Sequence, residues 1–98
     1  MTIPKKGEYN YHYKHSTTKD ILNYAYIIEG IALHSEDESL LVAYRPLYSG
    51  NHVEEFDADF NVKPLEMFCE SIDKAEYSGP RFRKMTDQEV ARIIEVMY

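Results

Sequence analysis

Two apolar runs joined by a short acidic segment dominate the hydrophobic pattern of the chain. Residues 24–34 are apolar or aromatic at nearly every position, which is typical of a strand covered on both faces. Gly30 within this run predicts a bulge or a sharp bend. Residues 40–45 predict the returning strand, and Pro46 ends it because proline cannot donate to a sheet ladder. The acidic residues 35–39 therefore predict an exposed hairpin turn.

Strict alternation marks another strand near the beginning of the sequence. Between residues 9 and 14, tyrosines alternate with polar residues, a period of two that predicts a half-buried strand. We expect the face with Tyr9, Tyr11 and Tyr13 to pack against the core. The opposite face carries His12 and Lys14, and we expect it to meet solvent or a ligand.

Shorter segments complete the β-rich part of the chain. Residues 15–23 break the alternation, and the capping-box spacing of Thr17 and Asp20 favours one helical turn or an ordered loop. Further along, the pattern predicts a strand over 60–63, a helical turn over 65–68, a strand over 70–73, a turn over 77–80 and a strand over 81–83.

The clearest local signal is a helix at the end of the sequence. Thr86 and Glu89 have the spacing of a capping box, and an apolar stripe at helical intervals follows them. This pattern predicts a helix over about 87–97 that docks on the sheet or on a second copy of the chain. The candidate interface residues are Val90, Ile94 and Met97.

Together these elements predict one small domain over residues 1–98, with a β core over about 9–84. The expected class is α+β and mostly β, a small antiparallel sheet of SH3-like or curled-barrel form with one C-terminal helix.

Charge and cysteine content narrow the possible partners and compartments. The net charge is −6, and residues 36–76 carry eleven acids against three bases. Such an acidic body disfavours non-specific binding to duplex nucleic acid, which needs several cations on phosphates. The single cysteine, Cys69, allows no internal disulfide, so we expect a reducing compartment. No apolar run is long enough to span a membrane, and we expect a cytoplasmic protein.

Several motifs resemble a small bacterial and viral domain family of unknown function. They are YHYK at 11–14, GIALHSE at 30–36, VAYRPLY at 42–48, KPLEMF at 63–68 and PRF at 80–82. The chain departs from the family pattern at Lys63, where an arginine is usual, and in the extra residues of segment 15–23. The resemblance implies a compact, mostly antiparallel, barrel-like domain and implies no settled activity.

Cations interleaved with aromatic residues on the strand segments are the candidate ligand site. Its members are His12, Lys14, His34, Tyr44, Arg45, Tyr48, Lys63, Arg81 and Phe82. Arginine can hold a phosphate at two points, and aromatic rings offer a surface on which a base stacks. The combination favours a nucleotide-type anion. The alternative is that Arg45 and Arg81 pair with nearby acids and only hold the fold together.

Other kinds of chemistry find little support in the sequence. Cys69 follows an apolar pair and is typical of a packed small hydrophobe, while Ser35 and His34 are strand neighbours that point to opposite faces. The four histidines lack the spacing of a metal site, so we expect no metal and no cofactor.

The leading hypothesis is a non-catalytic binding module for a nucleotide-type small molecule. A viral member could sequester a host signalling nucleotide in the host cytoplasm, and a homo-oligomer is expected because one small barrel offers only a shallow site. One alternative is a protein-protein interaction module of the small-barrel type, which would use the tyrosine face or an edge strand. A second is a nucleotide-processing enzyme with a general base such as His34.

Overall fold

The computed structural model describes residues 2–47 and 59–97. Within them the strands are β1 (Tyr9–His12), β2 (Ala25–Leu33), β3 (Leu40–Pro46), β4 (Asn61–Pro64), β5 (Ser71–Lys74), β6 (Tyr77–Pro80) and β7 (Phe82–Lys84). The helices are α1 (Leu65–Phe68) and α2 (Asp87–Met97), and a 3₁₀ helix covers Tyr13–Thr17.

Five of the strands form one antiparallel sheet in the order β4-β3-β2-β1-β7, and β5 and β6 form a separate hairpin. The predicted α+β class, mostly antiparallel β with one C-terminal helix, is confirmed. In the described part of the chain the sheet is open, with β4 and β7 as its edges, and it does not close into a barrel.

The hairpin of β2 and β3 forms the centre of the sheet. Its register shifts between Ile28 and Gly30, so the bulge predicted at this glycine is present. Gly30 has a backbone φ of 152°, a conformation that residues with a Cβ atom rarely adopt. At the far end, the backbone N–H of His34 donates to the carbonyl of Ser39 at 2.8 Å and closes the acidic turn.

Each face of the sheet packs against a different helix. On one face, β2, β3 and β7 form a cluster with α1: Ile28, Val42, Tyr44, Leu65, Phe68 and Phe82. On the other, Tyr11, Ala25 and Met85 pack around Ile93 of α2, which is fully buried. The helical turn predicted over 65–68 is present as α1, and the last helix docks on the sheet as predicted. Only the half of β2 near Ala25 is covered on both faces, because Ile31 and Leu33 near the hairpin turn are exposed.

The predicted turn over residues 77–80 is wrong. These residues form β6, and the reversal occurs at Ala75 and Glu76. The Gly79-Pro80 pair suggested a turn, but Gly79 lies opposite Ile72 in an extended ladder and Pro80 occupies its last position.

The segment after β1 also differs from the prediction. The strand ends at His12 instead of Lys14, because the Nδ1 atom of His12 accepts a hydrogen bond from the backbone N–H of Lys14 at 3.1 Å and the chain turns into the 3₁₀ helix. The expected cap at Thr17 is not formed. The carboxylate of Asp20 instead accepts from the backbone N–H of Leu22 at 2.9 Å.

The capping box of α2 is formed as predicted. The backbone N–H of Thr86 donates to Glu89 Oε1 at 2.9 Å, and the N–H of Glu89 donates to Thr86 Oγ1 at 3.2 Å. Arg83 of β7 donates two further bonds to the same carboxylate at 2.7 and 2.8 Å. The start of the helix is therefore tied to the sheet edge by an ion pair with two hydrogen bonds.

None of the helices in residues 2–47 and 59–97 has the length and apolar content that crossing a bilayer requires.

Candidate functional site

A cavity of about 220 Å³ opens on the face of the sheet that α1 covers. We call it the basic aromatic pocket. Its lining consists of His12, Lys14, Tyr24, Tyr26, Tyr44, Lys63 and Phe82.

Strand pairing brings the aromatic wall of this pocket together. His12 of β1 lies opposite Phe82 of β7, and their rings are 5.0 Å apart in an edge-to-face arrangement. The ring centre of Tyr44 on β3 lies 5.5 Å from that of Phe82 and 5.2 Å from that of Tyr26 on β2, again with the edge of one ring against the face of the other. Such contacts stabilise aromatic clusters beyond simple burial. The wall is thus a packed surface that does not need a ligand to hold its shape.

His12 is the polar centre of the pocket. Burial lowers the pKa of His12 to about 4, and the neighbouring charges of Lys14, Arg81, Lys63 and Lys74 lower it further in the same direction. The imidazole is therefore neutral at pH 7. Because its Nδ1 atom accepts from the backbone N–H of Lys14, the neutral ring carries its proton on Nε2, where it can donate to a ligand.

Lys14 and Lys63 supply the positive charge of the lining. Neither lysine takes part in an ion pair among the residues that the structure describes. The ammonium group of Lys63 lies 3.8 Å from the sulfur of Met67, which is a weak acceptor. Two lysines without a carboxylate partner beside a neutral imidazole suit an anion, and the pocket is electropositive although the chain as a whole is acidic.

Five of the nine residues predicted from the sequence meet in this pocket: His12, Lys14, Tyr44, Lys63 and Phe82. Their role as ligand contacts stays a prediction.

The two predicted arginines lie in ion pairs. Arg45 follows Tyr44 on β3 and so points to the opposite face of the sheet, where its Nε atom donates to Glu29 Oε1 at 2.9 Å. Arg81 pairs with Glu70 and donates from Nε to the carbonyl of Met67 at 3.2 Å. Both contacts match the alternative in which these arginines hold the fold together. Arg81 still acts on the pocket through its charge, which helps to lower the pKa of His12.

His34 and Tyr48 are not part of the described pocket. His34 lies in the hairpin turn, eight residues beyond the lining residue Tyr26 and so about 26 Å along the strand. Its Nδ1 atom accepts from the backbone N–H of Glu36 at 3.2 Å. Tyr48 lies outside the described residues. A general base at His34 would therefore not reach a molecule bound beside His12.

Two lining residues were missed from the sequence. Tyr26 was interpreted only as part of a buried strand, although it shares a face with Ile28 at a spacing of two. Tyr24 precedes β2 with a φ of 60°, a left-handed conformation that is rare for a bulky residue. Its carbonyl accepts from the backbone N–H of His12 at 2.9 Å, so the strained residue is tied directly to the centre of the pocket. Such strain is often found at functional sites.

No cluster of three or more possible metal ligands occurs among the described residues. Burial raises the pKa of the Cys69 thiol, which is consistent with a packed and unreactive side chain.

Comparison with known proteins identifies one family. A family model described as a protein of unknown function (DUF1653) matches residues 7–84, which include every strand from β1 to β7. No curated protein and no solved structure matches the chain.

Proposed function

The chain belongs to the family of proteins of unknown function named DUF1653, and from this premise we propose that it is a non-catalytic module that binds a nucleotide-type anion in the basic aromatic pocket. The observation that carries the proposal is the position of Lys14 and Lys63, which stand without a described ion-pair partner at the edge of an aromatic wall. A phosphate suits the two ammonium groups and the Nε2–H of His12, while a base or sugar suits the rings.

The size of the pocket bears on how much of a nucleotide one copy can hold. At about 220 Å³ it is smaller than the roughly 300–1,000 Å³ of most small-molecule sites. One copy would therefore enclose only part of a nucleotide. We also propose a homo-oligomer, with Val90, Ile94 and Met97 of α2 as the interface. Because α2 covers the opposite face of the sheet, this interface leaves the pocket open to its ligand.

The biological role that fits such a module is sequestration. A viral member of the family could hold a host signalling nucleotide in the host cytoplasm without turning it over. Support for a non-catalytic role comes from His12, whose low pKa makes it a weak base at pH 7, and from the distance of His34 from the pocket.

A thermal-shift and calorimetric screen with mono-, di- and cyclic nucleotides tests this proposal. Ligand at 100 times its Kd stabilises a folded protein by about 2.7 kcal/mol, so the melting temperature should rise with at least one nucleotide class. Lys14→Ala and Lys63→Ala should each weaken binding about tenfold, the loss expected for one charged hydrogen bond. Lys6→Ala, an exposed lysine away from the pocket, is the matched control.

The outcomes separate the alternatives. No shift with any nucleotide, or equal binding by the wild type and both pocket variants, contradicts the proposal. Chromatography of the incubated nucleotide should recover it intact, and a product would favour the nucleotide-processing alternative.

One further observation favours the interaction-module alternative. Apolar side chains are exposed near the hairpin turn, where Leu33 retains 63% and Leu40 47% of its accessible surface, and on the edge strand β4, where Val62 retains 59%. Exposed apolar surface and an open strand edge are both common in protein-binding sites. A Leu33→Ser, Leu40→Ser double variant should abolish partner capture under this alternative and leave nucleotide binding unchanged.

A further inference from the structure

Positive charge dominates the surroundings of the basic aromatic pocket. Lys14 and Lys63 line it, and within the part of the chain that the structure describes no aspartate or glutamate does. Burial is the main cause of the lowered pKa of His12, and four positive charges add to it: those of Lys14, Arg81, Lys63 and Lys74. Arg81 is paired with Glu70, but neither lining lysine has a described ion-pair partner. The lining thus presents the charge of two lysines that is not neutralised by a described residue.

His12 adds a hydrogen-bond donor to this lining without adding charge. Its Nδ1 atom accepts from the backbone N–H of Lys14 at 3.1 Å, which leaves the proton of the neutral ring on Nε2. A group with several acceptor oxygens can therefore receive hydrogen bonds from two ammonium groups and one imidazole N–H.

Phosphate esters differ in how well they match such a lining. A monoester carries about −1.5 to −2 charges at pH 7, because its second pKa is about 6, and it has three strong acceptor oxygens. A diester, such as a cyclic nucleotide, carries a single negative charge and has fewer free oxygens. The monoester can therefore neutralise both lysines, whereas a diester leaves one of them without a counter-charge.

The size of the pocket determines which part of the ligand enters. Sites that enclose most of a small molecule have volumes of roughly 300–1,000 Å³, and the pocket has about 220 Å³. It therefore takes up one end of a nucleotide. Because Lys14 and Lys63 line the pocket, the end that enters is the phosphate, and the base lies outside.

We propose that the basic aromatic pocket recognises the terminal phosphate of a phosphate monoester and discriminates against cyclic and other diesters. The inference rests on the nucleotide binding proposed above and names the ligand class of that same site. The shared chemistry is a dianionic phosphate on a sugar, which a nucleoside monophosphate and a simple sugar phosphate both provide.

Calorimetry of the full chain with adenosine monophosphate, its methyl ester and cyclic adenosine monophosphate tests the charge match. The three ligands share base and sugar, and the first alone is a monoester. It should bind about tenfold more tightly than either diester, the difference expected for one charged hydrogen bond. Equal affinities for the monoester and the diesters overturn this inference and leave nucleotide binding in place. Failure of all three ligands to bind, together with all other nucleotides, overturns both proposals.

The pH dependence of binding separates the effect of charge from that of ligand shape. Affinity for adenosine monophosphate should fall about fivefold from pH 7 to pH 5, because the phosphate takes up its second proton. Affinity for the cyclic diester should change less than about twofold, because it gains no proton there. The pKa of His12, about 4, keeps the ring mostly neutral over this range, and lysine and tyrosine side chains do not titrate in it. Parallel pH profiles for the two ligands contradict the inference.

Variants assign the preference to the two lysines. Lys14→Gln and Lys63→Gln should each reduce the preference for the monoester over the cyclic diester to less than about threefold, since one of the two positive charges is lost. Lys6→Gln, at an exposed position away from the pocket, is the matched control and should keep the full preference. An unchanged preference in both pocket variants contradicts the inference.

Ribose phosphate, which has the sugar and the phosphate but no base, distinguishes the two sources of the ligand. If the base lies outside the pocket, ribose phosphate should bind within about threefold of adenosine monophosphate. An affinity more than about tenfold weaker would place the base among the recognised groups and would overturn recognition of the phosphate end.

Discussion

The imidazole of His12 contributes both to the packing of the pocket and to its charge. Its ring contacts Phe82 and Tyr24, its Nδ1 atom turns the chain toward Lys14, and its neutral state keeps another positive charge out of a region that already holds several. Protonating this one side chain would add charge where burial and the neighbouring cations oppose it.

Stability should therefore fall as His12 becomes protonated. The folded-state pKa of about 4 lies below the ordinary value of 6.5, so the unfolded chain binds the proton more readily. The stability that the protein gains from keeping His12 neutral is fully present above pH 6.5, and it is lost progressively as the pH falls to about 4. We expect a loss of roughly 1–3 kcal/mol, reduced because the ring is partly exposed. Urea denaturation of the wild type and His12→Asn at several pH values measures it.

The comparison with His12→Asn separates this effect from that of other acidic and basic groups. The variant keeps an acceptor near the position of Nδ1 and cannot titrate, so its stability should depend less on pH between 6.5 and 4. Parallel curves for the two proteins would show that His12 does not have the lowered pKa.

At the scale of single residues, the sequence identified the charged and polar residues of the pocket but not the face of the sheet on which each one lies. Alternation and motif grouped His12 with Lys14, and both line the pocket, although Lys14 lies in the 3₁₀ helix beyond the end of β1. Arg45 was grouped with them because it neighbours Tyr44, although adjacent strand residues face opposite sides. Tyr24 could not be found in this way, since it ends the turn over 21–24 in a left-handed conformation that a bulky residue rarely adopts.

At the scale of elements, the N-terminus of α2 and strand β7 form one unit through Glu89. This carboxylate accepts from Arg83 and from the backbone of Thr86, and these bonds lower the pKa of Glu89 to about 2. An ion pair with two parallel hydrogen bonds is stronger than an ordinary surface pair.

Replacing Glu89 with Gln should destabilise the protein by about 1–2 kcal/mol at pH 7, because the ion pair and part of the cap are lost. The folded-state pKa lies below the ordinary value of 4.5, so the contribution is present above that pH and is lost as the pH falls toward 2. The difference in the free energy of unfolding between wild type and variant, measured by chemical denaturation, should become smaller as the pH falls over the same range.

Glu95→Gln on the exposed side of the same helix is the matched control and should change stability by less than about 0.5 kcal/mol. A similar loss in both variants would assign the effect to helix charge in general instead of the contact with Arg83.

The elements that the sequence predicted well are those with local causes. The cap of α2 depends on residues three apart, and the bulge in β2 depends on a glycine at a φ that other residues rarely adopt. β6 was missed because glycine and proline are turn signals, whereas its extended form depends on pairing with β5. The order of strands in the sheet likewise depends on contacts far apart in sequence, which periodicity does not reveal.

At the scale of the whole molecule, the two faces of the sheet differ in what packs on them. One face carries the basic aromatic pocket next to α1, and the other is covered by α2. Ile93 provides the anchor of α2 and is fully buried, whereas Ile94 and Met97 keep 43% and 39% of their accessible surface. The stripe predicted as one interface is thus divided, with Val90 turned partly toward the core and the other two residues left at the surface.

This division gives the proposed homo-oligomer a specific test. If the exposed side of α2 joins two copies, Ile94→Arg should dissociate them, because a charge would be buried in an apolar interface without a partner. Light scattering after size exclusion should then report a lower mass than for the wild type, and the melting temperature should lose its dependence on protein concentration.

Arg92→Glu, also at an exposed helix position but off the stripe, is the control and should keep the mass of the wild type. A wild type that is monomeric at all concentrations would contradict the oligomer. Nucleotide affinity should stay within about twofold of the wild type in Ile94→Arg, because α2 and the basic aromatic pocket lie on opposite faces of the sheet and sites without shared partners behave independently.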